Sequence, residues 1–223
     1  MAGTATYDAT RSRVTDYFDR SATKVWADLT SDAPVSRVRA TVRAGRDRMR
    51  GVILSRLPEN LAGWRVLDAG CGTGAKTAAL AARGAEVLAV DISPRLLEIA
   101  ERRLDPALAG RVTFAEADMF DPSLGVFDAI VAQDSMIYYS EPDLVRGLDA
   151  LRARSPRIVT SLAPRTPLLS AMWWAGKAFP RRDRSPVMVP HAPARLARRV
   201  PGLREVERVT SGFYISTCLE VAS

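Results

Sequence analysis

Ten consecutive residues hold most of the chemistry this sequence offers: Asp68-Ala69-Gly70-Cys71-Gly72-Thr73-Gly74-Ala75-Lys76-Thr77. A glycine-rich turn between a strand and a helix aims backbone N–H groups and a helix N-terminus at a ligand. Three ligands compete for it. The phosphate loop of a nucleotidase, G-x-x-x-x-G-K-[ST], fits from Gly70 to Thr77 except at Ala75. That position needs a freedom which a Cβ removes. The relaxed dinucleotide fingerprint fits as Gly70-x-Gly72-x-x-Ala75, with Asp91 standing 21 residues after Gly70. An NAD enzyme would also need a substrate domain, and little chain remains for one. The third ligand is S-adenosylmethionine. A carboxylate at Asp68, just before the loop, is awkward beside a pyrophosphate dianion. It suits the ammonium and sulfonium of a methionine half.

Two further acidic residues favour the third reading. Asp91 ends the next strand and can accept both ribose hydroxyls. Asp118, after the third strand, is placed to meet the adenine amino group, with Ile92 and Met119 as apolar walls. The expected cofactor set is Asp68, Gly70, Cys71, Gly72, Gly74, Asp91, Ile92, Asp118, Met119 and Gln133. Cys71 belongs there for its small size. The NAD-dependent oxidoreductase remains the alternative of another class.

These residues need a framework to hold them. Trp64–Asp68, Glu86–Asp91, Val112–Ala115, Phe127–Ala132 and Arg157–Leu162 read as strands. Helices alternate with them over Ala75–Ala82, Pro94–Leu104 and Pro142–Arg152. Pro94 suits a first helical turn, with Ser93 as its cap. Such alternation predicts an α/β fold with a doubly wound, mostly parallel sheet. Leu203–Val209 and Phe213–Val221, joined at Thr210-Ser211-Gly212, predict an antiparallel hairpin at its end. Ahead of the sheet, Tyr7–Leu29 and Val35–Leu57 have helical spacing. Residues 1–60 are therefore expected to form a two-helix arm, with Arg37, Arg39 and Arg43 on a lid. Residues 61–223 are the cofactor-binding domain, with a helical insertion at about 164–200.

Composition bounds the function. The chain has 223 residues, 47% hydrophobic and 26% charged, which excludes a disordered or fibrous protein. One histidine and two distant cysteines leave no zinc cluster and no disulfide framework, so no metal site is expected. No spanning run and no signal peptide is read, so a cytoplasmic protein is expected. The net charge of +7 is uneven: residues 164–208 carry ten basic and three acidic side chains. Such a flank suits an anionic substrate or membrane surface, and equally a solvated arginine-rich face. No aromatic-interleaved basic stretch points to nucleic acid.

The glycine loop, Asp91 and Asp118 resemble those of class I methyltransferases, whose fold closes with an inserted antiparallel strand. The flanks narrow the likeness. Asp16-Tyr17-Phe18, Trp26, Val35-Ser36-Arg37-Val38-Arg39, Gln133–Tyr139, Ser161–Thr166 and Val189-Pro190-His191 resemble the magnesium-protoporphyrin IX O-methyltransferases of chlorophyll and bacteriochlorophyll biosynthesis. The resemblance implies methyl transfer from S-adenosylmethionine to a porphyrin propionate, with S-adenosylhomocysteine as product. Another aromatic or quinone-precursor acceptor is the alternative. It implies the large porphyrin-binding subunit of magnesium chelatase as a partner, and peripheral contact with the photosynthetic membrane. Tyr138, Tyr139 and His191 are then the candidate catalytic residues. Chlorophyll-branch relatives carry a histidine where this chain has Tyr138. Arg39, Arg165 and Trp173 are the candidate substrate contacts; Trp173 equally suits a helix packed on the sheet.

Overall fold

Five short apolar runs make the framework, and each lies where the sequence predicts a strand. In the computed structural model they are β1 (Arg65–Ala69), β2 (Glu86–Asp91), β3 (Val112–Glu116), β4 (Ala129–Ala132) and β5 (Arg157–Leu162). They pair in parallel in the order β3-β2-β1-β4-β5. β4 is buried throughout and β1 exposes only Arg65, as strands covered on both faces by helices require. The closing hairpin, β6 (Leu203–Ser211) and β7 (Tyr214–Ala222), inserts β7 antiparallel to β5 and leaves β6 at the edge. The structure describes residues 5–19, 23–31, 34–167, 169, 186 and 188–222.

Helices α4 (Ala75–Ala82), α5 (Pro94–Arg103) and α6 (Glu141–Arg152) follow β1, β2 and β4. The Ser93 side chain caps α5 by accepting from the Leu96 N–H. Ser140 does the same for α6, where Glu141 and Asp143 in the first turn complement the helix dipole. A short α7 (Pro193–Ala197) precedes the hairpin.

The N-terminal segment departs from its expectation in two ways. The single helix predicted over Tyr7–Leu29 is two, α1 (Ala5–Tyr17) and α2 (Thr23–Leu29). The Thr23 hydroxyl donates to the Phe18 carbonyl, a local bond that competes with continued helix. The third helix, α3 (Arg37–Ser55), is no arm. Its Met49 and Ile53 are fully buried in one apolar layer with Val159 of β5, Val209 of β6 and Cys218 of β7. Val14 of α1 and Trp26 and Leu29 of α2 line a cleft beside the glycine loop. The insertion is described at its two ends, which meet at a bridge between Pro164 and His191.

α3 seats on the hairpin through a glycine. A Cβ on Gly45 would lie 2.5, 2.8 and 2.9 Å from Tyr214 Cδ1, Cγ and Cβ. Gly45→Ala therefore overpacks the contact by about 1–3 kcal/mol, offset by up to about 1 kcal/mol of helix propensity. The expected outcome is a lower urea midpoint at unchanged slope. An unchanged midpoint would show that Tyr214 yields without cost.

Candidate active site

β1 runs into the turn at Gly70, whose φ of 74° favours glycine. A Cβ there would also lie 2.3 Å from Ser135 Cβ, so dihedral and space both exclude a side chain. The Gly70 and Cys71 N–H groups both donate to the Val90 carbonyl at 2.9 Å, docking the loop on the end of β2. Gly72 donates its N–H to Asp91 Oδ2 at 2.8 Å, and Ser93 donates to Oδ1 at 3.0 Å. Gly74 is the N-cap of α4.

A cleft with about 1050 Å³ of space, part of it open to solvent, lies between this loop, the first three helices and the ends of β2 and β4. Its walls bring together Gly70, Cys71, Gly72, Asp91, Ile92, Met119, Gln133, Tyr138 and Tyr139. The Cys71 thiol is pushed up by burial and then by Asp91 and Asp68, which keeps it protonated and inert.

Asp47 and Asp134 also line the cleft, and Asp91 is the acidic group beside the glycine loop. Burial raises its pKa to about 6, against the pull of the Gly72 and Ser93 N–H bonds. Each carboxylate oxygen accepts one backbone bond and keeps a lone pair for a hydroxyl donor.

Four expected residues have other work. Strand alternation puts Asp68 on the face of Val66, under α4, and not in the cleft wall. There it is fully buried, with Lys76 Nζ 2.6 Å from Oδ1 and the Thr77 hydroxyl donating to Oδ2 at 2.7 Å. Asp118 is also outside the wall. It accepts from the Tyr7 hydroxyl at 2.7 Å and from Arg11 at 3.1 Å, so it anchors α1. His191 is 1% exposed and does not line the cleft. Burial lowers its pKa to about 4, and it bonds the Tyr139 backbone while Nε2 has no partner. It is therefore a neutral, fixed core residue and no proton carrier at neutral pH. Tyr139 touches the cleft but is buried, its ring stacked on Tyr7 with centroids 5.0 Å apart.

Tyr138 does face the cleft, edge-on to Phe18 at 6.3 Å between centroids. Burial pushes its hydroxyl up, with Arg46 pulling the other way, so it stays protonated. Arg39 and Arg165 are exposed and do not line the cleft. Trp173 lies outside the described residues. Among the described residues, the cations that reach the cleft are Arg43, Arg46, Arg50 and Lys76. Arg46 is two helical turns beyond Arg39 on the same stripe of α3, and only packing separates the two. Tyr7 and Tyr214 are the other contributors that motif reading passed over; Trp26 entered it only through the family resemblance.

Sheet order, glycine loop and Asp91 cradle together define a class I methyltransferase. A methyltransferase-domain family model matches residues 66–154, and one described as "Magnesium-protoporphyrin IX methyltransferase C-terminus" matches residues 132–223. The chain is 57% identical over 217 residues to the magnesium-protoporphyrin O-methyltransferase of Rhodobacter capsulatus, spanning 96% of this chain and 97% of that one. It is 28% identical to the protein of the same name from Synechocystis sp., spanning 93% and 94%. The crystal structure of magnesium protoporphyrin IX methyltransferase from Synechocystis PCC 6803 with bound SAH matches at a TM-score of 0.80 and 27% identity, over 96% of this chain and 100% of that one. This chain belongs to the magnesium-protoporphyrin O-methyltransferase family.

Asp91 generates a pH prediction. On the expectation that its ionised form accepts the ribose hydroxyls, S-adenosylhomocysteine affinity should fall about tenfold per unit below pH 6. The apo protein has the opposite sign. A carboxyl raised from 3.8 to about 6 makes folding more favourable as pH falls through that window. Calorimetric titration of wild type and Asp91→Asn between pH 5 and 8 checks it. A pH-independent wild-type Kd would remove Asp91 from the ribose site.

Proposed function

We propose that this chain transfers a methyl group from S-adenosylmethionine to a propionate carboxylate of magnesium protoporphyrin IX, giving the monomethyl ester. The observation that carries this reading is the cleft itself. A nucleoside cradle at one end opens toward aromatic and arginine side chains at the other, in a chain whose family is named for that acceptor.

The residues fit the cofactor. Gly72 would meet nothing within 4 Å if it carried a Cβ, so there is open space above the loop. Asp91 faces that space for the ribose, and Ile92 and Met119 are apolar walls for the base. When bound, S-adenosylmethionine supplies an electrophilic methyl on a sulfonium. The chain does the rest by placement. A propionate titrates near a glutamate, at about 4.3, and is ionised at neutral pH, so the nucleophile needs no general base. Neither His191, buried and neutral, nor Tyr138, held protonated, is asked to be one. Tyr138 is a hydroxyl donor beside the reacting end of the cleft. Phe18 and Trp26 roof the cleft and exclude water, which leaves a carboxylate more nucleophilic. Alignment of nucleophile and methyl can supply about 7–11 kcal/mol of the barrier.

Incubation with S-adenosylmethionine and magnesium protoporphyrin IX, read by product mass, tests the reading. A gain of one CH₂ on the magnesium porphyrin, and none on metal-free protoporphyrin, is expected. Binding of the cofactor with no methylated porphyrin would move the acceptor to the quinone-precursor alternative.

The same reading includes peripheral membrane contact. No helix among the described residues is long and apolar enough to cross a membrane. Val38 and Phe213 are 50% and 64% exposed. They stand on adjoining elements, since the Ser211 hydroxyl donates to the Thr41 carbonyl at 2.8 Å. Exposed Arg37 and Arg39 flank them, a pairing that suits an anionic surface. Flotation with vesicles containing phosphatidylglycerol is expected to carry wild type and leave the variant F213S/R39Q behind. Equal flotation of both, or none of either, would discard this surface.

A further inference from the structure

We propose that Arg46 recognises the reacting carboxylate of the acceptor and so makes the enzyme specific for carboxylates. This rests on the methyl-transfer reading above.

Burying an acceptor carboxylate requires a paired cation. Among the described residues, the cations that reach the cleft narrow to one. Lys76 is 5% exposed and taken by Asp68 at 2.6 Å. Arg43 donates to the carbonyls of Asp28 and Leu29 and so fastens the end of α2. Arg50 pairs along its own helix with Asp47 at 2.9 Å.

Arg46 is held differently. The Trp26 ring lies under its guanidinium, 4.4 Å from Cζ to the ring centroid. Nη1 donates to Asp134 Oδ2 at 2.7 Å. Its own backbone carbonyl accepts from Gln133 Nε2 at 2.8 Å, tying α3 to the segment after β4. That segment also carries Tyr138, whose hydroxyl feels the Arg46 charge.

Asp134 orients the arginine more than it cancels it. Its carboxylate also accepts from the Ser161 hydroxyl at 2.8 Å and from the Tyr214 hydroxyl at 3.1 and 3.2 Å. Its negative charge is thus shared among several fixed donors. The planar guanidinium is locked by stacking and by one bond, and its fork of donors matches a carboxylate in a bidentate pose. A phenol or catechol acceptor would instead need a free base, and the Asp134 carboxylate in this corner is committed to Arg46, Ser161 and Tyr214.

The α-carboxylate of the cofactor's methionine shares this chemistry, so the experiment has separate arms. Dissociation constants are measured for magnesium protoporphyrin IX, its dimethyl ester, S-adenosylhomocysteine and decarboxylated S-adenosylhomocysteine. Wild type is expected to prefer the free diacid over the diester by roughly tenfold or more, the worth of a charge-assisted bond. Arg46→Gln should abolish that preference and leave S-adenosylhomocysteine binding within about twofold. Arg46→Lys, which keeps the charge and loses the fork, should retain part of the preference. If Arg46→Gln alone does not fold, R46Q/D134N leaves no unpaired charge and should show the same loss. A preserved preference in the variants overturns the proposal. So does a loss of S-adenosylhomocysteine affinity that spares the decarboxylated analogue, which would give Arg46 to the methionine. A wild type that neither binds nor methylates the porphyrin fails the underlying reading instead, before Arg46 is questioned.

Discussion

The Asp134 carboxylate is the tie on which the acceptor half of this molecule depends. Its donors come from three separate elements: Arg46 on α3, Ser161 on β5, and Tyr214 and Ser216 on β7. The residue accepts a left-handed backbone, φ 55°, to reach them. A non-glycine residue pays for that conformation, and asparagine or aspartate pays least. The helix is also tied to β6 by Arg48–Glu207 and to β7 by Arg56–Glu220, and β5 to β7 by their antiparallel ladder; the Asp134 carboxylate adds the tie at the cleft. There the relative positions of the three are fixed by direction as well as area. Tyr214 serves twice, packing against Gly45 with its ring and bonding Asp134 with its hydroxyl.

The cofactor half is organised by a different balance. Asp68 and Lys76 bury two charges beneath the glycine loop, a pairing that seldom adds stability but is costly to break. Its value lies in fixing the start of α4 against the end of β1. The loop above then needs no side chain of its own to hold shape. Val90 and Asp91, at the end of β2, collect its N–H groups. One strand end thus shapes the loop and also presents the Asp91 carboxylate to the cleft.

What the sequence made legible was local. Strands announced themselves as short apolar runs, α5 by Ser93-Pro94, the loop by its glycines, and Asp91 by its distance from them. Two side chains have surroundings the sequence could not show because the partner lies far along the chain. Asp118 is satisfied by Tyr7, 111 positions away, and Arg46 by Asp134, 88 positions away. Asp68 and Lys76 were both visible in the motif, but which face of β1 each met depended on the packing of α4. Arg39 and Arg46 lie on one helical stripe, and the pattern cannot say which turn of α3 reaches the cleft. His191 was conspicuous for being alone in the chain; its burial follows from the bridge to Pro164, which no local pattern encodes.

That bridge has a consequence for divergence. His191 donates its N–H to the Ala163 carbonyl and accepts from the Arg165 N–H, so the chain enters and leaves its insertion at one narrow neck. The Val189 N–H, just inside the neck, also donates to the Ile137 carbonyl at 2.8 Å, next to Tyr138 of the cleft wall. Divergence at the return path of the insertion is therefore constrained, because a shift there is passed through one backbone bond to the wall of the cleft.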